Sequence, residues 1–252
     1  SGNPRLRWQA TWGMSDQTSH FKLESKGLEM KAELVQAPIP QYYFLEISSN
    51  CNLKCPFCAT GNGEIPTSSR GNISEKDFDL IFEKISPYAE VIDLFNWGEP
   101  FMHKNIYGII NKISSRGIKA QISSNLSVRL FSNDELEALV SSGLYSLLAS
   151  IDGVTQEAYE AYRKNGSVFK ALTNLENIQK TKMRLNSVTP HLIWAFYVNK
   201  HNEHEVELAK IKAAEIGIDI WFKDLSCPDD FQTKLLKERP ELFSDTDSIK
   251  KL

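Results

Sequence analysis

No apolar run in this 252-residue chain approaches the roughly 18 residues that a membrane-spanning helix needs. The start also lacks the charged-then-apolar pattern of a secretion signal. Both absences point to a cytoplasmic protein that engages no membrane. Charge of one sign is missing too: 29 Lys+Arg face 32 Asp+Glu, for a net charge of -3, without a long like-charge block. Nothing therefore supplies the basic stripe of a nucleic-acid binder. Cysteine is scarce at four residues, and a reducing compartment argues against disulfides. What is present is a globular composition, 41% hydrophobic and 24% charged, which supports a buried core and not disorder. The opening Ser1-Gly2-Asn3-Pro4, without an initiator Met, reads as an expression scar or internal cut and carries no fold argument.

Residues 5–40 show no sustained period, although Trp8 and Trp12 stand four apart as neighbours on a helix face would. Residues 1–40 are read as an N-terminal extension packed on the main domain. From Tyr42 a strand-like run and a helical pattern alternate. Strands are expected at Tyr42–Ser48, Val91–Phe95, Lys119–Ser123, Ser146–Ser150, Leu192–Val198 and Asp219–Phe222. Helices are expected at Ser74–Ile85, Asn105–Arg116, Asn133–Ser142, Phe169–Leu185 and Glu203–Ile216, with a weaker one near Asp230–Glu238. Gly117 and Gly143 close two of them. Six β/α units without a Rossmann glycine fingerprint predict an α/β fold, a partial (β/α)6 TIM-like barrel with parallel strands, over residues 41–225. Residues 226–252 form a C-terminal tail. In such a barrel, chemistry gathers where strands end and loops begin.

Three of the four cysteines, Cys51, Cys55 and Cys58, follow the first strand directly. A [4Fe–4S] cube ordinarily takes four thiolates, so a trio leaves one iron open to another ligand. Zinc ligation or a redox pair also fits Cys-x-x-Cys. A closed zinc site needs a fourth ligand, however, and the nearest histidine, His103, belongs to another loop.

With Phe57 directly before Cys58, the segment resembles the hallmark of the radical S-adenosylmethionine (SAM) enzymes, Cys-x3-Cys-x2-Cys with an aromatic residue before the last cysteine. The resemblance runs from about Tyr42 to Phe222. It implies that Cys51, Cys55 and Cys58 hold three irons while the amino and carboxylate groups of SAM chelate the fourth. Asn96-Trp97-Gly98-Glu99-Pro100 is similar to the family's Gly-Glu-Pro motif and implies a contact of Glu99 with the SAM amino group, Pro100 stiffening the turn. Trp97 stands where many relatives carry a second glycine. Ser123-Ser124-Asn125 resembles the segment that meets the SAM ribose, and Ser150-Ile151-Asp152-Gly153 with Arg163 the one in which Ser150 and Arg163 take the SAM carboxylate. Asp152 is expected to cap a helix or face substrate, and Val198-Asn199 to meet adenine. His191, His201 and His204 read as surface or capping residues.

The activity so implied is reductive cleavage of SAM to a 5'-deoxyadenosyl radical that abstracts hydrogen from a small-molecule substrate, sugar-like in character, or from a peptide. A one-electron reductant such as flavodoxin or ferredoxin would supply the electron. Cys227, after the sixth strand, has three readings: an inert buried thiol, a hydrogen donor to a substrate radical as in radical SAM epimerases, or the first ligand of an auxiliary cluster. The last needs further cysteines beyond Leu252, as in a SPASM-type maturase or dehydrogenase. A zinc-stabilised binding module on the same scaffold is the reading from a different class.

Overall fold

The structure is a computed structural model that describes residues 38–243. Trp8, Trp12 and most of the expected N-terminal extension lie outside the described residues, as do residues 244–252 of the tail. Six strands form one sheet: β1 Tyr42–Phe44, β2 Val91–Asp93, β3 Lys119–Ser124, β4 Ser146–Ser150, β5 His191–Val198 and β6 Asp219–Asp224. Sheet order follows chain order, and every neighbouring pair is parallel. Between the strands run α1 Glu75–Ile85, α2 Ile106–Ser114, α3 Asn133–Ser141, α4 Gln156–Tyr162, α5 Val168–Arg184 and α6 Val206–Ile216. A single turn, α7 Leu235–Glu238, follows β6.

Local chemistry explains the boundaries. Ser74 accepts a hydrogen bond from Asp77 N and starts α1, and a reciprocal Ser132/Glu135 box starts α3. Gly117 and Gly143 follow α2 and α3 at φ +74° and +81°, a conformation that other residues reach only under strain.

Strand alternation divides the side chains between two faces. Ile92, Ala120, Ile122, Leu147, Ala149, Trp194, Phe196 and Phe222 belong to the main apolar cluster under the helices. Asp93, Gln121, Ser123, Ser146, Ser150, Tyr197 and Lys223 alternate with them and face the opposite side. A regular β5 with Trp194, Phe196 and Val198 in the core agrees with the period of two seen in the sequence.

Three local expectations are corrected. β1 ends at Phe44, not Ser48, because the chain then turns away and the Glu46 side chain, not a backbone ladder, holds the loop after β2. The seven-residue α4 was not foreseen. It is nucleated by Thr155, whose hydroxyl accepts from Ala158 N at 3.3 Å, and by Glu205, which accepts from Val154 N at 2.6 Å. The last expected helix contracts to four residues.

Candidate active site

A cavity of about 420 Å³ opens at the C-terminal ends of the strands. Its wall takes residues after β1 (Cys51, Cys55, Cys58), after β2 (Phe95 to Glu99), at the end of β3 (Ser123 to Asn125), and from β4 (Ser150), β5 (Tyr197) and β6 (Asp224 to Ser226). Laid flat, six strands spaced about 4.8 Å apart would spread those ends over about 24 Å. The sheet therefore curls, and all six strand ends share one small mouth.

The cysteine loop is held from outside. Lys54 N donates to Lys164 O at 2.9 Å, and Asn165 Nδ2 donates to Asn52 O at 2.9 Å, so the segment after α4 clamps it. Leu53, Tyr162 and Leu225 form an apolar collar with Cys55, against which Cys51, Phe57 and Cys58 pack. Phe57 stacks on Tyr162 at 5.9 Å between ring centres. Burial pushes the Cys51 thiol up to about 12, with a hydrogen bond from Leu53 N at 3.4 Å acting against it. Burial also raises Cys55, where the Arg163 guanidinium opposes the rise. Thiolates in such a collar need positive charge beside them, which iron supplies.

Among the described residues no three His, Cys, Asp or Glu side chains converge on a site for a single metal ion. Three thiols on one clamped loop suit an iron–sulfur cube with one corner open. His103 is engaged elsewhere: Nε2 lies 3.0 Å from Ile73 O, and Nδ1 accepts from Asn105 N at 3.1 Å.

The loop after β2 is latched twice. Glu46 Oε1 accepts from Trp97 N at 2.6 Å and Gly98 N at 2.8 Å. Gly98 is required by space, since a Cβ there would fall 1.9 Å from Ser48 O. Glu99 is buried, and its carboxylate accepts from Phe101 N at 3.1 Å, Ser124 Oγ at 2.8 Å and Asn125 N at 2.8 Å. Burial raises its pKa while those donors oppose the rise. The side chain thus braces two strand ends while still lining the cavity. Pro100 is buried as the first residue of a one-turn helix and stands behind the wall.

The remaining expected residues divide. Ser123 Oγ and Ser150 Oγ lie 3.1 Å apart on the cavity wall. Asn125 turns toward the cysteine loop, donating to Asn52 Oδ1 at 3.1 Å. Asp152 neither caps a helix nor faces a substrate space. It is fully buried, Oδ2 accepting from Arg163 Nε at 2.5 Å and Oδ1 from Tyr197 N at 2.7 Å. Burial raises the Asp152 pKa and Arg163 counteracts it. Arg163 keeps its place on the cavity wall with one edge of its fork already taken. The Val198 side chain points into the apolar core, and its neighbour Tyr197 is the one that reaches the cavity. Cys227 sits one residue past the wall residue Ser226, packed at the edge of the collar. Burial raises its pKa, and Asp224, Asp230 and Asp229 add to the rise.

A family model described as the radical SAM superfamily matches residues 45–210, more than half of the chain. The chain belongs to the radical SAM superfamily. Radical SAM enzymes use a [4Fe–4S] cluster and SAM, and both are cofactors of this chain. GTP 3',8-cyclase of Alkaliphilus metalliredigens (strain QYMF) is 25% identical over 187 residues, which cover 73% of this chain and 56% of that protein. Mycofactocin maturase MftC of Mycobacterium ulcerans (strain Agy99) is 26% identical over 134 residues, 53% of this chain and 35% of its own. In fold, the chain is similar to Streptococcus suis SuiB bound to S-adenosylmethionine, with a TM-score of 0.64 at 16% identity, over 84% of this chain and 48% of that one. That likeness agrees with the partial barrel. The chain spans about half the length of the cyclase and of SuiB and about a third of the maturase.

Sequence reasoning missed Glu46, Ser124 and Tyr197. Glu46 had a visible signal, a charged residue inside an otherwise apolar strand candidate. Among the described residues no helix is long and apolar enough to cross a membrane.

Proposed function

We propose that this radical SAM enzyme holds a [4Fe–4S] cluster through Cys51, Cys55 and Cys58 and binds SAM in the cavity at the strand ends. The observation that carries this is the convergence of the clamped cysteine loop and polar groups from β3, β4 and β5 on one mouth. When bound, the pair supplies a 5'-deoxyadenosyl radical able to remove hydrogen from an unactivated carbon. The protein's part is placement. Ser150 and the free edge of Arg163 orient the SAM carboxylate, Ser123 meets the ribose, and the turn that Glu99 and Gly98 stiffen presents its main chain to the amino group. Asn125 and Val198 support this wall, Asn125 through the cysteine loop and Val198 by turning Tyr197 inward. A one-electron carrier such as flavodoxin or ferredoxin delivers the electron.

The substrate we favour is a peptide. The support is twofold: the mycofactocin maturase matches in sequence, and the matching SuiB fold was also solved bound to the precursor peptide SuiA. A maturase of that kind carries more chain than is present here. A second reading, epimerisation with Cys227 as hydrogen donor, rests on the place of Cys227, next in the chain to the wall residue Ser226 and packed at the edge of the collar. Anaerobic reconstitution tests the common core: a brown protein that releases 5'-deoxyadenosine from SAM under dithionite is expected. A Cys51→Ala/Cys55→Ala/Cys58→Ala variant should lose both colour and release. A colourless wild type would overturn the assignment. For the second reading, Cys227→Ala in deuterated water should stop formation of solvent-labelled inverted product.

A further inference from the structure

One side chain on the cavity wall is also directed at a cysteine. Asn125 Oδ1 accepts from Ser127 N at 2.8 Å, and since a backbone N–H can only donate, the orientation of the amide is fixed. Its Nδ2 then donates to Asn52 Oδ1 and lies 3.9 Å from Cys51 Sγ, on the sulfur that also receives Leu53 N at 3.4 Å. Cys58 differs, for its sulfur lies 3.9 Å from the carbonyl oxygen of Trp97, an acceptor.

Hydrogen bonds and positive charge at ligand sulfurs favour the reduced, more negative cluster and so raise its potential. Resting on the function proposed above, we propose that Asn125 is a positioning residue that raises the reduction potential of the iron–sulfur site through Cys51. The device acts on the ease of cluster reduction, apart from any grip on SAM.

The test is an EPR-monitored redox titration of the reconstituted holoenzyme without SAM, which separates the potential from cofactor binding. Asn125→Leu removes one donor. Asn125→Asp keeps an acceptor for Ser127 N while removing the donor, and it serves as the independent arm should the first not fold. Each is expected to move the midpoint to more negative potential by at least a tenfold change in the reduction equilibrium, about 59 mV for one electron. Smaller or positive shifts in the variants that fold overturn the proposal. A wild type that carries a cluster and cleaves SAM while the variants keep its potential refutes this inference alone. A wild type that takes up no cluster refutes the function itself.

Discussion

The two faces of the sheet share the same strands but differ in what each residue must satisfy. On the helix side, Trp194, Ile122, Ala149 and Phe196 are fully or almost fully buried among apolar neighbours, and each contributes mainly by filling space. On the concave side, Ser123 and Ser150 pair their hydroxyls on the cavity wall, Tyr197 reaches the cavity, and Asp93 is held by Tyr42 O–H. The helix face contributes stability that the concave face spends on polar side chains placed for chemistry. A substitution should therefore register as lost folding free energy on one face and as altered binding on the other.

The largest effect belongs to the helix face. Trp194 is fully buried, and its Nε1 donates to Ile151 O at 2.6 Å. Trp194→Ala should cost about 3–5 kcal/mol, read as a lower urea midpoint. A loss under about 1 kcal/mol would remove the contrast. Next comes Asp93, where burial lifts the carboxyl pKa to about 6 while Tyr42 O–H, at 2.6 Å, works against the rise. One of its oxygens is buried with no partner. Because the folded-state pKa is raised, Asp93 favours folding below about pH 4, and this contribution is lost as the pH rises through about 6. Asp93→Asn should therefore stabilise the protein by on the order of 2 kcal/mol at pH 7 and by almost nothing at pH 4. Urea titrations at the two pH values check the sign. Smallest in stability is Ser150→Ala, expected to cost about 1 kcal/mol or less while weakening SAM binding by about tenfold. Calorimetry on the reconstituted protein sharpens the comparison if affinity falls and the melting temperature holds.

Much of this was legible because it is local. Strand and helix periods, the Ser74 cap, the closing Gly117 and Gly143 and the spacing of Cys51, Cys55 and Cys58 all depend on residues a few positions apart. The partial barrel follows from their alternation. Partners far apart in the chain were not legible. The bracing role of Glu99 was hidden because two of its partners, Ser124 and Asn125, lie 25 and 26 residues away. Glu46 reaches Trp97 across 51 residues, and nothing near it announces that contact. α4 escaped because seven residues give too little period to see. Val198 was preferred to Tyr197 because a sequence gives the alternation along a strand but not which face looks inward.

The clamp on the cysteine loop bears on how the protein comes into being. Asn52 and Asn165 are 113 residues apart, so a chain emerging from the ribosome offers three thiols long before it offers the mould that fixes them. Iron delivered in that interval would meet a flexible peptide with no shape to select for a cube. If the trio holds the cluster as proposed, its assembly follows the folding of the fourth β/α unit, and its fidelity is tied to that distant segment.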